Sequence, residues 1–530
     1  MASDDTRCVS SCQQLQRRNT IMKCVENRYI LSLIGIVSVV QTLAQICPYN
    51  NTKCVCYDRY VTCTGLQEIP PLVTGIDVTY FTTVNFQDGN IVNVPSSNLP
   101  PGLEKLTFSG HPLTNWSDDA FDKSEASIYL LNITGAKFQQ LPRAFLKLTS
   151  LSRLVIADTP VQIWEGPVLQ HIATILPDLE LINVGFTAWP KWLSHFHSLN
   201  ILYLSNNCIT TIPEDAFSVV TNTLTRIILE NTCLTHVPQA LATLSNLTNL
   251  DLSSNIFTDE YEVETLASMP LGTTLSDLTI EYIGLSKMLN FSKMKNLFAI
   301  NLNFNEISDA TSGLFPSFIT SLYVQGNQLS LVPTDVAKMS TLYSLFLSDN
   351  KITTIEPVSF PPNLGYLDLS FNKLIVITDT YFTNLTVMET LYLNNNPIST
   401  ISSLAFEDLT SLITLDISNT YFVQVPAALI SLTTVLEIDM ANPSLTCPCP
   451  ADSALVKWFA HGGGKISLSG NCCTGQSIQS YLSGQCTTSF TTPATCLAAT
   501  TQSNDALMHA QGLVCGCGSF LLLAVLWILL

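Results

Sequence analysis

Apolar residues recur along the chain in an eleven-residue pattern, at positions 1, 4, 6 and 11, often with Asn at position 9. The clearest copies span 199–209, 247–257, 342–352, 364–374 and 388–398. Weaker copies begin at Phe81, Leu103, Ile128, Leu151, Leu176, Leu224, Leu275, Leu297, Ile319, Leu412 and Val435. Successive ninth positions are 22–25 residues apart, except for 28 residues between Asn255 and Ile283. These sixteen copies indicate one repeated structural unit rather than several unrelated domains.

Positions 3 to 7 of each copy alternate between polar and apolar residues, which predicts a short strand with one buried face. Each strand would pair in parallel with the strand of the next copy, about 4.8 Å away. The amides at position 9 would then form a column that satisfies backbone groups at the turn: Asn207, Asn255, Asn305, Asn327, Asn350, Asn372 and Asn396. Val184 and Ile283 have no amide at this position, so we expect these two turns to be less regular.

A repeat of about 20–29 residues with this apolar spacing is typical of leucine-rich repeats. The chain resembles extracellular members of this family from residue 47 to about residue 486. The resemblance implies an α/β fold, a right-handed leucine-rich repeat solenoid or horseshoe of about sixteen repeats, with a parallel β-sheet on its concave side. Because one repeat cannot bury its own apolar face, each end of the stack requires a cap.

A cysteine cluster precedes the repeats, where the first cap is expected. It resembles the N-terminal cysteine cap of the family in its spacing, in Val61-x-Cys63 and in the closing Ile69-Pro70. Its members are Cys47, Cys54, Cys56 and Cys63. The resemblance implies that Cys47 pairs with Cys56 and that Cys54 pairs with Cys63.

A second cysteine cluster follows the repeats. The stretch containing Cys447, Cys449 and Trp458 is similar to the start of the family's C-terminal cap. The cysteines downstream depart from the usual pattern and leave the connectivity open: Cys472, Cys473, Cys486 and Cys496. Short secreted frameworks favour disulfides, and a zinc site bound by these cysteines is the alternative.

Two further cysteines, Cys208 and Cys233, occupy position 10 of adjacent repeats. Stacked strands would bring their Cα atoms to about 5 Å, within the range that a disulfide requires. The sequence allows either a bridge between the two repeats or two packed free thiols.

The N-terminal end differs from the repeats. Residues 29–40 form a short apolar run after Lys23 and Arg28, and a small residue, Ala44, follows. A basic flank, a short apolar core and a small residue are typical of a secretory signal peptide. An uncleaved signal anchor is the alternative, and residues 1–21 are interpreted as an upstream extension that is not part of the translated protein.

The C-terminal end indicates membrane attachment. Residues 487–504 are rich in Thr, Ser and Ala and are interpreted as a stalk. Short polar and small residues, a spacer and the apolar tail 513–530 favour a glycosylphosphatidylinositol (GPI) anchor attached at Asn504. A terminal transmembrane helix is the alternative.

The predicted organisation therefore has six segments. They are 1–44, N-terminal extension and signal peptide; 45–74, N-terminal cysteine cap; 75–445, leucine-rich repeats; 446–486, C-terminal cysteine cap; 487–504, stalk; and 505–530, anchor signal or terminal helix.

Composition restricts the class of partner. Hydrophobic residues make up 47% of the chain, charged residues 12%, and the net charge is −18. An acidic chain offers no phosphate-binding face, so nucleic acid is not an expected partner. The glycosylation sequons fit a secretory route: Asn50, Asn115, Asn132, Asn246, Asn290 and Asn384. Asn132 falls at position 5 of its repeat, where a glycan would obstruct that end of the concave face.

Side chains at positions 3, 5, 7 and 8 should project from the concave face. In the last six repeats, aromatic residues lie beside carboxylates there. We name this set the acidic-aromatic strip: Tyr323, Phe346, Tyr366, Asp368, Tyr392, Asp416, Glu437 and Asp439. It suits a basic or aromatic-bearing peptide, or a sugar that stacks on Tyr. The alternative is that these are ordinary solvated strand residues.

No pattern indicates catalysis, a metal or a cofactor. His195 and His197 lack Cys, Asp or Glu partners at metal-ligand spacing, and Gly462–Gly464 lacks the Lys-Ser/Thr of a phosphate loop. We therefore expect no enzyme. The favoured function is a receptor-like protein or co-receptor on the extracellular face of the plasma membrane that binds a protein, peptide or glycan beside a transmembrane signalling partner. An adhesion or cell-wall protein and an inhibitor of secreted hydrolases remain alternatives, because the fold does not decide among them.

Overall fold

The computed structural model describes residues 47–485, apart from Ser312, 357–358, 463–464 and Thr474. The predicted signal peptide, stalk and anchor signal lie outside the described residues, as do Cys486, Cys496 and Asn504. Within the described part, no helix is long and apolar enough to cross a membrane.

Each predicted repeat contributes one strand to a single parallel sheet. The apolar pattern sets the register, because Leu345 pairs with Leu322 on one side and with Leu367 on the other. This confirms the leucine-rich repeat solenoid. The strands are Thr83–Gln87, Lys105–Ser109, Leu130–Thr134, Arg153–Ala157, Asp178–Ile182, Ile201–Tyr203, Arg226–Ile228, Asn249–Asp251, Asp277–Thr279, Ala299–Asn301, Ser321–Tyr323, Ser344–Phe346, Tyr366–Asp368, Thr390–Tyr392, Thr414–Asp416 and Glu437–Asp439.

The Asn column ties neighbouring repeats together inside the core. The side-chain amide of Asn350 donates to the carbonyl of Leu347 at 3.1 Å and to that of Val324, in the preceding repeat, at 2.9 Å. Its Oδ1 accepts from the Leu329 N–H at 3.0 Å. One buried side chain therefore satisfies backbone groups of two repeats, which would otherwise be costly to bury.

Repeats without an amide at position 9 keep the same turn. Val184 and Ile283 donate their N–H groups to Asn207 and Asn305 of the following repeats, at 3.1 and 3.0 Å. The expectation of irregular turns at these two positions is wrong, because the acceptor comes from the next repeat along the stack.

Position 8 adopts the left-handed backbone conformation in fifteen repeats. Asn, Asp and Gly tolerate positive φ, whereas bulky residues rarely adopt it. The position is occupied by Asp88, Gly110, Gly135, Asp158, Asn183, Asn206, Asn231, Ser254, Tyr282, Phe304, Gly326, Asp349, Phe371, Asn395 and Asn419. The three aromatic members are therefore exceptions to the residue chemistry that the turn favours.

The helices in the segments between the strands are mainly short 3₁₀ helices. Several follow a proline directly, including Pro142, Pro190 and Pro238, whose fixed φ starts the turn. The 3₁₀ helices are Val78–Tyr80, Arg143–Lys147, Lys191–His195, Gln239–Thr243, Glu260–Ser268, Pro270–Thr273, Val336–Lys338 and Ala427–Ser431. One α-helix, Pro167–Ala173, lies among them. Two small parallel sheets join Asn93–Val94 to Asn115–Trp116 and Val376–Ile377 to Thr400–Ile401.

A disulfide-bonded hairpin closes the N-terminal end. Its strands Cys54–Tyr57 and Tyr60–Thr64 pair in antiparallel fashion, and the second pairs in parallel with Thr83–Gln87. Disulfides join Cys47 to Cys56 and Cys54 to Cys63, the pairs that the family resemblance implies. The hairpin thereby covers the first repeat.

The C-terminal end is closed by two helices, Ser453–His461 and Ile478–Leu482, and the strand Ser467–Ser469. Trp458 donates its ring N–H to the Leu432 carbonyl at 2.8 Å and so anchors the first helix to the last repeats. A disulfide joins Cys447 to Cys472.

The remaining described cysteines of this cap are also oxidised, since Cys449 and Cys473 are each disulfide-bonded. The zinc alternative therefore fails for them. Among residues 47–485, as far as the structure describes them, no group of three or more His, Cys, Asp or Glu could hold a metal ion.

The structure contains the bridge between Cys208 and Cys233, with Cα atoms 4.9 Å apart. These residues follow strands Ile201–Tyr203 and Arg226–Ile228, which pair directly. The disulfide thus links adjacent repeats covalently at the strand-to-turn junction.

Candidate functional site

All eight residues of the acidic-aromatic strip lie on the exposed face of the sheet, in the strands from Ser321–Tyr323 to Glu437–Asp439. Each alternates with buried Leu or Ile residues, such as Leu322, Leu391 and Ile438. The alternation of the sequence therefore presents these side chains to solvent, as the sequence predicts.

The four aromatic rings of the strip form a continuous ladder. The rings of Tyr323 and Phe346 stack with centroids 4.5 Å apart and planes at 9°. Phe346 contacts Tyr366 at 4.7 Å, and Tyr366 contacts Tyr392 at 5.7 Å, both tilted. Because the rings contact one another, each ring is partly covered by its neighbour. The four rings of this ladder belong to four consecutive repeats.

The Asp residues of the strip also have a structural role. One carboxylate oxygen accepts the backbone N–H two residues ahead: Asp368 from Ser370 and Asp416 from Ser418, both at 2.9 Å. Asp439 accepts from Ala441 at 3.0 Å. These residues are therefore more than solvated strand positions, because each also satisfies a turn.

The carboxylates are crowded at the C-terminal end of the strip. Asp416 pairs across the sheet with Tyr392 on one side and with Asp439 on the other. Burial raises the pKa of Asp416, and the charges of Asp439 and Asp368 raise it further. Hydrogen bonds from Ser418 oppose the shift. This end of the face therefore holds negative charge at a cost in energy, and a cation would relieve it.

Further aromatic residues lie beyond the predicted strip. Tyr282 and Phe304, at position 8, stack with centroids 4.8 Å apart and planes at 6°, and Tyr282 is 54% exposed. The ring of Phe304 lies over Gly326, where an added Cβ would come within 2.4 Å of it. Sequence reasoning missed this pair, although two aromatic residues at a position otherwise occupied mostly by Asn, Asp and Gly were a usable signal.

A second group of carboxylates lies beside these rings. We name Glu230, Asp251, Asp277 and Glu281 the central acidic group. Burial raises the pKa of Glu230, and the charges of Asp251 and Glu281 add to the shift. The amide of Asn301 donates to Oε1 of Glu281 at 2.5 Å and fixes its position.

The sequons leave the strip uncovered. Asn132 lies in the strand Leu130–Thr134, between Thr107 and Val155 of the neighbouring strands, near the N-terminal end of the sheet. The strands from Asp178 to Asp439 contain none of the six sequons. A glycan on Asn132 would therefore be many repeats away from Tyr323.

Comparison with known proteins supports the repeat architecture. Residues 362–422 and 198–219 match family models described as leucine rich repeat. Human "Leucine-rich repeats and immunoglobulin-like domains protein 1" is 31% identical over 147 residues, which are 27% of this chain and 13% of that protein. Lumican from Coturnix japonica is 32% identical over 186 residues, 33% of this chain and 51% of lumican.

An enzyme also appears among the relatives. Adenylate cyclase from Schizosaccharomyces pombe is 30% identical over 233 residues, 40% of this chain but 14% of the cyclase. Among solved structures, that of the Drosophila Toll–Spatzle complex superposes with a TM-score of 0.53 at 20% identity, covering 75% of this chain and 57% of the other.

The fold and the comparisons define the class: this is a leucine-rich repeat solenoid, related to other leucine-rich repeat proteins. The chain spans about half or less of the length of these curated relatives. The disulfides of the caps indicate an oxidising environment, typical of a secreted or cell-surface protein.

Proposed function

We propose that this protein is a ligand-binding, receptor-like protein of the cell surface that recognises an extracellular protein, peptide or glycan through the acidic-aromatic strip. The aromatic ladder carries the proposal, since four rings in contact, from Tyr323 to Tyr392, form a preorganised surface. Rigid aromatic side chains dominate binding energy at protein interfaces, because they bury large areas with few rotatable bonds to order.

Charge and glycosylation support the same face. Asp368, Asp416 and Asp439 lie beside the ladder, and no sequon falls in its strands. The structure of Toll that resembles this chain is named as a complex with Spatzle, an instance of the fold with a bound partner. The same proposal includes membrane attachment through a GPI anchor at Asn504 and action beside a transmembrane signalling partner.

The binding proposal is tested by replacing the centre of the strip. The variant combines Tyr366→Ala, Asp368→Asn and Tyr392→Ala; Asn retains the acceptor for the Ser370 N–H. In a capture screen against extracellular proteins, peptides and glycans, we expect binding to fall at least tenfold, as for central interface residues. A control with Asn85→Ala and Thr107→Ala, at position 5 of earlier repeats, should bind normally. If the strip variant binds as well as the control variant, the binding site lies elsewhere.

The anchor proposal has its own test. Phosphatidylinositol-specific phospholipase C should release the protein from cells that express the full chain. Retention after treatment would favour the transmembrane alternative, and a known GPI-anchored protein on the same cells serves as the control for enzyme activity.

A further inference from the structure

The concave face has a strong excess of carboxylates along its central and C-terminal parts. In the described repeats from the strand Asp178–Ile182 onwards, Arg226 is the one basic residue that lies at position 3, 5, 7 or 8. The acidic residues at the same positions are Asp178, Glu180, Glu230, Asp251, Asp277, Glu281, Asp349, Asp368, Asp416, Glu437 and Asp439. Such an excess creates a negative potential over the face and favours a positively charged partner.

Seven of these eleven carboxylates fall into two groups with aromatic rings between them. The central acidic group precedes the rings along the stack, whereas Asp416, Glu437 and Asp439, which we name the terminal acidic group, follow them. Six consecutive repeats each place an aromatic ring on this face: Tyr282, Phe304, Tyr323, Phe346, Tyr366 and Tyr392. The face is therefore most acidic at two places, and the rings lie between them together with two further carboxylates, Asp349 and Asp368.

The ring geometry favours a polypeptide over a sugar. A sugar binds an aromatic side chain by lying on its open face, but Tyr323 and Phe346 are parallel at 4.5 Å and cover each other's inner faces. Tyr282 and Phe304 do the same at 4.8 Å. Ring edges and hydroxyl groups suit apolar side chains and backbone carbonyls of a peptide.

The protein fixes these carboxylates without neutralising them. Glu281 is held by the amides of Asn301 and Asn303 rather than by a basic residue. Asp251 and Asp416 each accept a backbone N–H at 2.9 Å. By contrast, Glu180 at the start of the face forms an ion pair with Arg153 at 2.5 Å. In the part of the chain that the structure describes, Glu281, Asp251 and Asp416 are thus held in position without an ion pair, and the cations of a ligand can pair with them.

The repeat spacing sets the distance between the two groups. Six steps along the sheet separate the strand preceding Glu281 from the strand of Asp416. At about 4.8 Å for each step, the separation is roughly 29 Å along the sheet. An extended chain covers this distance with about nine residues at roughly 3.3 Å each.

Resting on the binding function proposed above, we propose that the ligand of this face is a polypeptide segment with two groups of Lys or Arg side chains separated by an apolar stretch of about nine residues. One basic group pairs with the central acidic group and the other with the terminal acidic group. The apolar stretch lies along the rings.

The test uses synthetic peptides and the full-length protein. The two-group peptide carries three Lys residues at each end of a nine-residue apolar and neutral segment; one-group peptides keep either end, and a further peptide has Gln for every Lys. One variant combines Glu230→Gln, Asp251→Asn and Glu281→Gln, and another combines Asp416→Asn, Glu437→Gln and Asp439→Asn. The control, Glu214→Gln, Glu306→Gln and Glu407→Gln, changes net charge equally at exposed positions off this face.

The design separates charge from folding. Asn301 already occupies position 5 of its repeat and accepts the Asn303 N–H at 3.0 Å, as Asp251 and Asp416 do in theirs. Asn at these positions therefore keeps the turn. Thermal melting of each variant checks this directly.

We expect each acidic-group variant to weaken the two-group peptide about tenfold, the sum of three modest charge pairs, and the combined variant to weaken it about a hundredfold. Shortening or lengthening the neutral segment by four residues should also weaken it. Equal loss in the charge control, or equal binding of the Gln peptide, overturns the inference. The variant with Tyr366→Ala, Asp368→Asn and Tyr392→Ala distinguishes the two proposals. If it loses a neutral or glycan ligand, the strip still binds ligand, and only the inference of a basic peptide is wrong.

Discussion

The ring of Tyr343 occupies the space that a side chain on Gly365 would need. A Cβ added to Gly365 would come 2.2 Å from Cε2 of Tyr343 and 2.4 Å from its Cζ. Burial raises the pKa of Tyr343, and the interaction of its hydroxyl with Glu389, in the repeat beyond, raises it further. The absence of a side chain at one position thus lets one ring extend across two repeats.

Gly365→Ala should displace this ring. The backbone of Gly365 is not in the left-handed region, so the cost comes from the clash with Tyr343 alone. We expect a loss of about 1–3 kcal/mol in the free energy of unfolding, typical of overpacking. Chemical denaturation measures it, and Tyr343→Ala is the matched partner. In the double variant the clash is gone, so the two effects should be less than additive. Strict additivity would show that the two residues are not coupled.

The Asn column should be sensitive to single substitutions. Asn372 donates to the carbonyls of Leu347 and Leu369 and accepts from the Ile352 N–H. Asn372→Ala removes the acceptor of the Ile352 N–H and should cost about 1–3 kcal/mol, because the two carbonyls keep a second donor, Asn350 for Leu347 and Asn396 for Leu369. Asn372→Thr should cost less, because Thr420 makes one such bond, to the Ile417 carbonyl, at the same position of its repeat. Equal losses in both variants would contradict this account.

The repeat fold could be predicted because its cause is local and periodic. Alternating polar and apolar residues, such as those around Leu345, specify a strand. The same pattern in the two adjacent repeats specifies the register in which the strands pair. The turns at Val184 and Ile283 were mispredicted because their acceptors lie in another repeat, Asn207 and Asn305, which position-by-position reading does not consider.

The strip was predicted as a set of positions but not as a geometry. Residue types at position 5 placed Tyr323 and Phe346 side by side, whereas their stacking depends on ring orientation, which a pattern does not contain. The pair of Tyr282 and Phe304 was missed, since strand alternation says nothing of a turn position with positive φ.

The bridge between Cys208 and Cys233 should stabilise the middle of the stack. It closes a sequence separation of 25 residues. Replacing both residues by Ser should lower the free energy of unfolding by about 3 kcal/mol, the value for a loop of this size. Thermal denaturation measures the loss, and alkylation of the unreduced native protein should leave both thiols unlabelled. Labelling of either residue would show that the bridge does not form.

The crowded carboxylates make a prediction about stability and pH. The pKa of Asp416 is raised in the folded protein, so the folded protein binds a proton at this carboxylate more readily than the unfolded chain does. Stability therefore falls as pH rises from the ordinary Asp value through the raised pKa, and the ionised group destabilises the fold above it.

Asp416→Asn removes the charge but keeps an acceptor for the Ser418 N–H. We expect a higher melting temperature than wild type at pH 7 and no difference near pH 3, where Asp416 is protonated in both states. The reciprocal variant, Asn301→Asp, places a new carboxylate beside Glu281 and should lower the melting temperature at pH 7. If Asp416→Asn destabilises the protein at pH 7, its charge is compensated within the fold. If it stabilises the protein while weakening ligand capture, then the negative charge at this position serves binding at the expense of stability.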